Sequence, residues 1–440
     1  MKDTFKYLVL WAIMMLATSL QAQTNGSNSS YSRFGLGTLA DQSQGFNRGM
    51  GSTGIGIRLG NRVNMQNPAS YSAIDSLTFL FDVGMNVSLG HLSSQTASMN
   101  VRNCNLDFVN AGLRLRRGMG LSFGFVPYTT IGYNFSTENN VARQYPTTQA
   151  ITSTSSYSGD GGLHQVYVGL GWRPFAQLSV GVNVGYLWGS FDHELRQTFS
   201  ENGSSTSTYS GLNSIENSDI STYKIDFGVQ YPLRLDAENM LTLGATAGIG
   251  HRIASDATLT RYSSAGDSLQ LTARHPFDLP YTYGVGASWQ HKENLLVAAD
   301  IRQEQWADCK MPVMRRNGTA TTYAGERGAY KNRTRVAVGA QYTPDIYSSK
   351  FVRRMQYRAG AHFSTPYLKI NGKEGPREYG LTAGVGVPIT NFYNNRSMVN
   401  VNLQWLSRSP SEKGMIRENF FMINLSMTFN EVWFMKFKIK

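Results

Sequence analysis

The chain contains little cysteine, with only Cys104 and Cys309 among its 440 residues. Exported scaffolds that depend on disulfide bonds are much richer in cysteine, so that class of protein is excluded. The two residues leave two alternatives open, a single bridge between them or two unpaired thiols.

Long apolar runs are also scarce. One run covers residues 7–16, within MKDTFKYLVLWAIMMLATSLQAQ, and no second run reaches the ~20 residues that a membrane-crossing helix needs. Lys2 and Lys6 precede this run, and Ala22 is a plausible cleavage residue. Residues 1–22 are therefore predicted to be a signal peptide that directs the chain out of the cytoplasm, with a membrane anchor as the alternative.

Residue patterns that carry catalysis are missing. The seven histidines are scattered, and none has the spacing of a helical metal site with an acid between two histidines. Residues 49–54 have the glycine spacing of a dinucleotide-binding loop and residues 120–124 that of a nucleophile elbow, but no helix is predicted after either. We therefore predict no cofactor, no metal and no enzyme activity.

Positive charge, in contrast, is in excess, with a formal net charge of +12. Nucleic acid is not an expected partner for an exported protein. Much of the excess falls within residues 310–335, which would suit the anionic head groups of outer-membrane lipid and lipopolysaccharide. An ordinary solvated loop is the alternative.

From residue 77 onward the sequence alternates as β-strands do. In the sixth run, Tyr223, Ile225, Phe227, Val229 and Tyr231 share one face, and polar residues or glycine occupy the other. A membrane barrel turns such an apolar face to lipid and its polar face to the lumen. Fourteen runs are predicted, at residues 77–92, 105–116, 118–135, 163–173, 178–199, 223–231, 240–258, 281–290, 295–306, 333–342, 355–364, 379–389, 398–406 and 420–429.

The gaps between these runs alternate in length, as the long outer loops and short periplasmic turns of outer-membrane barrels do. Long gaps cover residues 136–162, 200–222, 259–280, 307–332 and 365–378, and short ones cover residues 117, 174–177, 291–294 and 390–397. We predict an all-β fold, an antiparallel transmembrane β-barrel of about 14 strands at residues 77–429, in the outer membrane of a Gram-negative type of cell. Residues 430–440, with aromatic residues and lysines, are predicted to be an interfacial tail.

Residues 23–76 show neither a helical nor a strand period. They contain eight glycines between positions 35 and 60 and then the turn signal Asn67-Pro68-Ala69. Glycine lets a backbone bend and pack closely, and Pro68 disfavours a helical conformation at Asn67. Such a segment cannot form a core of its own, so we predict that it is a hatch inside the barrel lumen.

Several motifs resemble one known family in their order and spacing. Asn67-Pro68-Ala69 follows a glycine-rich segment, residues 120–128 read GLSFGFVPY, and Leu279-Pro280 precedes Asp300 and Trp306. Over nearly the whole mature chain, the sequence resembles the FadL/OmpP1/TodX family of outer-membrane transporters. That resemblance implies a barrel with a hatch and the passive uptake of small hydrophobic molecules, such as long-chain fatty acids or aromatic compounds.

The resemblance also leaves a second function open. The chain is similar to the PorV-type shuttle barrels of type IX secretion, which implies a protein-binding, non-transporting scaffold as the alternative. Residues 31–35, YSRFG, are not a motif of the transporters.

Pro127 falls inside the third predicted strand. Proline lacks the N–H group that a strand partner needs, and unpaired backbone within a membrane is costly unless it lines a cavity. Pro127 and the neighbouring Gly124 therefore predict a gap in the wall through which an apolar solute leaves sideways. The alternative is that Pro127 ends a short strand near the rim. The candidate ligand-binding residues are Phe34, Leu36, Phe46 and Phe277.

Overall fold

The structure is a computed structural model that describes residues 28–95, 97–141, 151–175, 177–201, 210–317, 320–370, 372–389, 397–412 and 414–432. The predicted signal peptide at residues 1–22 lies outside the described residues. The predicted interfacial tail also lies outside them from residue 433 onward.

Fourteen strands form one continuous wall, and each is antiparallel to its neighbours. They are β1 (Thr78–Ser93), β2 (Ser98–Arg116), β3 (Met119–Val141), β4 (Ile151–Trp172), β5 (Ser179–Glu201), β6 (Leu212–Arg234), β7 (Asn239–Gly248), β8 (Thr282–His291), β9 (Leu295–Glu304), β10 (Arg333–Tyr342), β11 (Gln356–Ser364), β12 (Arg377–Ile389), β13 (Ser397–Ser409) and β14 (Arg417–Val432).

The wall is closed because β14 pairs with β1, from Thr78↔Val432 to Ser93↔Arg417. Side chains alternate across it as the pattern predicts, since Tyr223 and Phe227 are about half exposed on the outside whereas Gln230 is fully buried on the inside. The predicted all-β, fourteen-strand antiparallel barrel is thus confirmed, and the strands follow one another in the predicted order.

The wall has two unlike ends. We call the end that carries the long connections the loop end and the end that carries the short connections the turn end. At the turn end, β2 and β3 are joined by residues 117–118 and β8 and β9 by residues 292–294. At the loop end, residues 249–281 join β7 to β8, and residues 305–332 join β9 to β10.

Strands β3 to β6 extend far beyond the others at the loop end, which corrects the prediction of loops at residues 136–162 and 200–222. Pairs such as Val141↔Ile151 and Gln197↔Leu212 continue the ladders into those stretches. Their serine and threonine content lowered their hydrophobicity in the sequence. The extension is stabilised by an apolar cluster on its inner face, which includes Ile131, Leu163, Phe191 and Ile220.

The seventh strand was also predicted wrongly, at residues 240–258, because β7 ends at Gly248. Just after it, a Cβ at Gly250 would collide with the backbone at Pro280 and Tyr281, so the chain passes tightly against the start of the next wall strand. The connection then continues through short strand pairs.

Residues 28–76, which we call the N-terminal segment, lie against the inward face of the wall. Most of their side chains are buried. Their regular elements are a 3-10 turn at Ser30–Arg33, a two-residue strand at Thr38–Leu39, helix α1 at Gly45–Arg48 and a 3-10 helix at Pro68–Ala73.

The connections carry the remaining elements, and three of the predicted loops contain antiparallel strand pairs. The loop-end elements are His251–Arg252 paired with Asp278–Leu279, the hairpin Ala257–Ser263 with Ser268–Ala273, a 3-10 turn at Trp306–Asp308, the hairpin Met311–Asn317 with Ala320–Glu326, and Lys369–Ile370 paired with Lys373–Glu374. Helix α2, Phe351–Arg354, lies at the turn end between β10 and β11. Among the described residues, no helix is both long enough and apolar enough to cross a membrane.

Candidate functional site

The predicted hatch motif forms the N-terminal cap of the 3-10 helix at Pro68–Ala73. The Asn67 side chain accepts a hydrogen bond from the Ala69 N–H at 3.1 Å, and its amide donates to the carbonyls of Ile55 (2.8 Å) and Val229 (3.1 Å). One asparagine therefore closes the local turn, ties it to the preceding part of the N-terminal segment and connects both to β6.

Polar side chains of the wall hold the backbone of the N-terminal segment. The Asp300 carboxylate on β9 accepts from the N–H groups of Gly54 (2.5 Å) and Ile55 (3.0 Å). The Thr382 hydroxyl on β12 accepts from the Gly51 N–H at 2.8 Å. Gln230 on β6 donates to the Ile55 carbonyl at 3.0 Å. These bonds satisfy backbone groups that would otherwise be buried without partners.

Glycines of the wall make room for that backbone. Gly339 on β10 and Gly360 on β11 are direct cross-strand partners, and Met50 and Gly51 lie against them. A Cβ at Gly360 would collide with the Gly51 backbone. Sequence reasoning missed this fit, although the glycines on the lumenal face of these strands were a signal that could have revealed it.

A charged network links the N-terminal segment to the wall. Asp41 lies 3.1 Å from Arg335 and accepts from the Ser52 hydroxyl at 2.7 Å. Burial alone would raise the pKa of Asp41, but the guanidinium groups of Arg335 and Arg48 hold it well below its usual value. Asp41 is therefore ionised in the folded protein.

The network continues along the wall toward the loop end. Arg333 lies 3.3 Å from Glu304 and 3.5 Å from Glu378, and Arg408 lies 3.3 Å from both Glu378 and Glu418. All these side chains are largely buried. Removal of one member of such a buried network leaves an uncompensated buried charge, which is strongly destabilising.

Residues 29–34, which include most of the YSRFG stretch, contact this network and the β4 extension. Glu418 accepts hydrogen bonds from the hydroxyl groups of Ser29 and Ser30, both at 2.7 Å, and from the Ser30 N–H at 2.8 Å. The Arg33 guanidinium lies 4.6 Å from the ring centre of Tyr157 and 4.7 Å from that of Phe34. Together, these contacts place residues 29–34 at the loop end of the lumen.

The wall has an incomplete seam between β2 and β3. Their pairing begins at Arg116↔Met119 and ends at Val109↔Phe125. Beyond Phe125, no ladder pair joins the two strands in the part of the chain that the structure describes. Gly124 belongs to the last pairs, and Pro127 lies just past them, where β3 also bulges against β4.

The N-terminal segment occupies part of that seam. Thr38 and Leu39 pair with Thr130 and Thr129 of β3 as an added short strand. Gln42 donates to the Pro127 carbonyl at 2.9 Å. The carbonyl of Pro127 thus bonds to the N-terminal segment instead of to β2.

The four candidate ligand-binding residues are packed at three separate places. Leu36 and Phe277 share the apolar cluster at the loop end, Phe34 packs with the cluster around Trp306, and Phe46 packs with Met50 and Ile57. None of the four lines the cavities of 110 and 140 Å³ beside the charged network. Their role in ligand binding stays a prediction.

Two lumenal cavities lie beside the charged network, with volumes of 110 and 140 Å³. Arg333, Arg335 and Asp41 line both. The larger one also reaches Leu106 of β2 and Pro127 of β3, so it connects the lumen to the seam.

Cys104 is exposed and Cys309 is buried, and both are free thiols, so the bridge alternative is wrong for this structure. Burial raises the pKa of Cys309 to about 12. Within the described residues, histidine, cysteine and acidic side chains form no group that could hold a metal ion.

Solved structures show the same architecture. The P. putida toluene transporter TodX matches with a TM-score of 0.59 and 16% identity over 90% of this chain and 100% of its own. The Ralstonia pickettii toluene transporter TbuX matches with a TM-score of 0.58 and 16% identity, over 88% of this chain and 97% of its own. A Pseudomonas aeruginosa FadL homologue matches with a TM-score of 0.58 and 11% identity, over 90% of this chain and 99% of its own. At such identities the likeness shows a FadL-like fold.

Sequence comparison identifies the family more directly. No curated protein matches the chain. The family model described as BamG, however, matches residues 4–440, and the chain therefore belongs to the BamG family.

Proposed function

We propose that the protein is an outer-membrane channel for the passive uptake of small hydrophobic molecules, of the long-chain fatty acid or aromatic type. The loop end faces the exterior, the turn end faces the periplasm, and the N-terminal segment acts as the hatch. The solute leaves sideways through the seam between β2 and β3. The toluene transporters TodX and TbuX, which have the same fold, support this substrate class.

The observation that carries the proposal is the seam itself. Backbone groups of a membrane-spanning wall remain unpaired only where they line a cavity or meet other protein. Pairing between β2 and β3 stops at Val109↔Phe125, and a lumenal cavity reaches Pro127 just beyond. The wall therefore lacks strand pairing at a place that a lumenal cavity reaches.

Transport requires the N-terminal segment to move. The lumenal cavities of 110 and 140 Å³ are smaller than the ~300 Å³ of an ordinary ligand pocket. They are also lined by charged residues, whereas the solute is apolar. Displacement of the pair Thr38–Leu39 from β3 would open the path to the seam.

A disulfide tests this step. Leu39 and Thr129 are cross-strand partners, so Leu39→Cys with Thr129→Cys can form a bridge once Cys104 and Cys309 are replaced by serine. Oxidation is expected to abolish the uptake of a long-chain fatty acid and of toluene by cells, and reduction to restore it.

A matched control uses Leu113→Cys with Leu121→Cys, which are cross-strand partners in the paired part of β2 and β3. This bridge leaves the N-terminal segment free and should leave uptake unchanged. Undiminished uptake by the oxidised Leu39–Thr129 variant at normal surface abundance would refute the lateral route.

A protein-binding scaffold is the second candidate, and the filled lumen favours it. Asp41, Arg333, Arg408 and Glu418 bind the N-terminal segment and the wall into one charged network, which an apolar solute would have to disrupt. Under this proposal the extension of β3 to β6 carries the partner. Cells that lack the protein would then take up both solutes as fast as cells that contain it.

A further inference from the structure

A cavity at the turn end lies between the N-terminal segment and the wall. Its volume is 600 Å³, within the ~300–1,000 Å³ range of small-molecule sites. Residues 59–62 form one side, and the connection that carries helix α2 forms another. Apolar lining comes from Leu59, Leu296, Ile346 and Met398.

Two guanidinium groups in this cavity keep unused N–H donors. Arg62 is only 5% exposed, and its Nη2 donates to Gln356 and to the Met398 sulfur, but its Nη1 has no hydrogen-bond partner. The Nε of Arg354 is likewise buried without a partner. An unsatisfied buried donor is costly, and more so on a charged group.

The charge around Arg62 is also uncompensated. Its neighbour Arg358 is 4% exposed and donates to the neutral side chains of Gln341, Asn400 and Gln356. No carboxylate of the described residues lies within 4.0 Å of either guanidinium. Burial lowers the pKa of Arg62 to about 10, against the opposing effect of Asp82.

Two acidic residues, Asp75 and Glu293, line this cavity. Glu293 accepts from the Tyr347 hydroxyl at 3.4 Å near the mouth. The Asp75 N–H donates to the Gly60 carbonyl at 3.0 Å, a bond within the N-terminal segment. The buried guanidinium groups of Arg62 and Arg358 therefore have no ion-pair partner among the described residues, which favours a bound anion.

We propose that this cavity binds the carboxylate of an amphiphile. The head group accepts from Nη1 of Arg62 and Nε of Arg354, and the hydrocarbon lies along Leu59, Leu296 and Met398. Guanidinium groups suit a carboxylate because their planar donors match its two oxygens. The site goes beyond the proposed function, since an amphiphile can bind at the turn end whether or not a solute crosses the lumen.

The probe is 11-(dansylamino)undecanoate, titrated by fluorescence against the full-length protein in lipid nanodiscs, with empty nanodiscs subtracted. Dodecanoate is expected to displace it, whereas dodecanol, which lacks the carboxylate, should compete about tenfold less well or worse. Acetate, which lacks the chain, should not compete at millimolar concentration.

Arg62→Met should weaken dodecanoate about tenfold or more, and Arg62→Lys should retain part of the affinity. Arg58→Met is the matched control, because Arg58 lies in the same segment but donates to Ala69, Gln230 and Ser72 instead. The Arg58→Met variant should bind dodecanoate as tightly as the wild type does. Arg354→Met, in an exposed connection, supplies a second variant if Arg62→Met fails to fold.

The same carboxylate can belong to a fatty acid or to the C-terminus of an apolar peptide. A hexapeptide with an apolar C-terminal residue is therefore tested as the free acid and as the amide. Displacement by the acid but not the amide supports the carboxylate site with a peptide source. Equal competition by dodecanoate and dodecanol, or unchanged affinity in both Arg62→Met and Arg354→Met, overturns the proposal. Uptake by cells is measured separately. A failure of the carboxylate site therefore leaves the channel proposal standing, and a failure of the channel proposal leaves the carboxylate site standing.

Discussion

The carboxylate of Asp41 lies 3.1 Å from the guanidinium of Arg335, across the boundary between the N-terminal segment and the wall. Both side chains are about 15% exposed, so water screens the pair little. Four experiments test the importance of this boundary.

Asp41→Asn should loosen the N-terminal segment while the wall remains folded. Asparagine keeps a hydrogen-bond acceptor for Ser52 but leaves Arg335 without its carboxylate, and removal of one partner of a buried pair costs roughly 3–5 kcal/mol. In single-channel recordings in planar bilayers, the wild type should stay closed and the variant should open frequently. Asp236→Asn, at an exposed turn between β6 and β7, is the control and should stay closed; an equally closed Asp41→Asn would contradict the role of the pair.

Acid should produce the same effect in the wild type. The folded pKa of Asp41 lies well below its usual value, so its contribution to stability is complete above the unfolded pKa of ~3.9 and is lost as the pH falls through the folded pKa. The difference in thermal midpoint between wild type and Asp41→Asn should therefore be constant above about pH 5 and shrink below pH 4. Circular dichroism melts from pH 3 to 8 measure it, and a difference that does not depend on pH would exclude Asp41 as the titrating group.

Gly360→Val should expel the Met50–Gly51 backbone from its place on the wall. The new side chain would occupy the position of the Gly51 backbone, which cannot shift as a flexible side chain could. Protease added at the turn end should then cleave the N-terminal segment at least tenfold faster. Ala359→Val, one position away on the outward face of the same strand, is the control. Equal cleavage rates in the two variants would mean that the glycine does not position the segment.

Asp300→Ala should expose the amides of Gly54 and Ile55. Each loses a hydrogen bond to a charged acceptor, worth about 1.5–3 kcal/mol. Hydrogen exchange of residues 54–57, followed by mass spectrometry, should accelerate about tenfold or more, whereas the ladder of β9 should stay protected. Asp219→Ala, on the exposed face of β6, serves as the comparison and should change neither region.

The fourteen strands could be predicted because their alternation and their connection lengths are local properties of the sequence. The extension of β3 to β6 could not, since its residues 151–160 are mostly polar or small and are stabilised by distant partners such as Phe277. The fit of Gly360 to Gly51 joins residues more than three hundred positions apart, which no period reveals. Pro127 was recognised from its missing N–H, but the added strand at Thr38–Leu39 that meets it depends on tertiary structure.

The course of the N-terminal segment has a consequence for the order of assembly. It begins near Asn103 at the loop end, where Asn28 bonds to β2, and it enters β1 at Thr78 at the turn end. The wall is closed around it by the ladder from Thr78↔Val432 to Ser93↔Arg417. A segment that runs the length of a closed cylinder has to be in place before β14 pairs with β1, or it has to be drawn in through one end afterwards. In the first case, β14 joins β1 while residues 28–76 are already folded against the sheet; in the second, those residues enter a wall that has already closed.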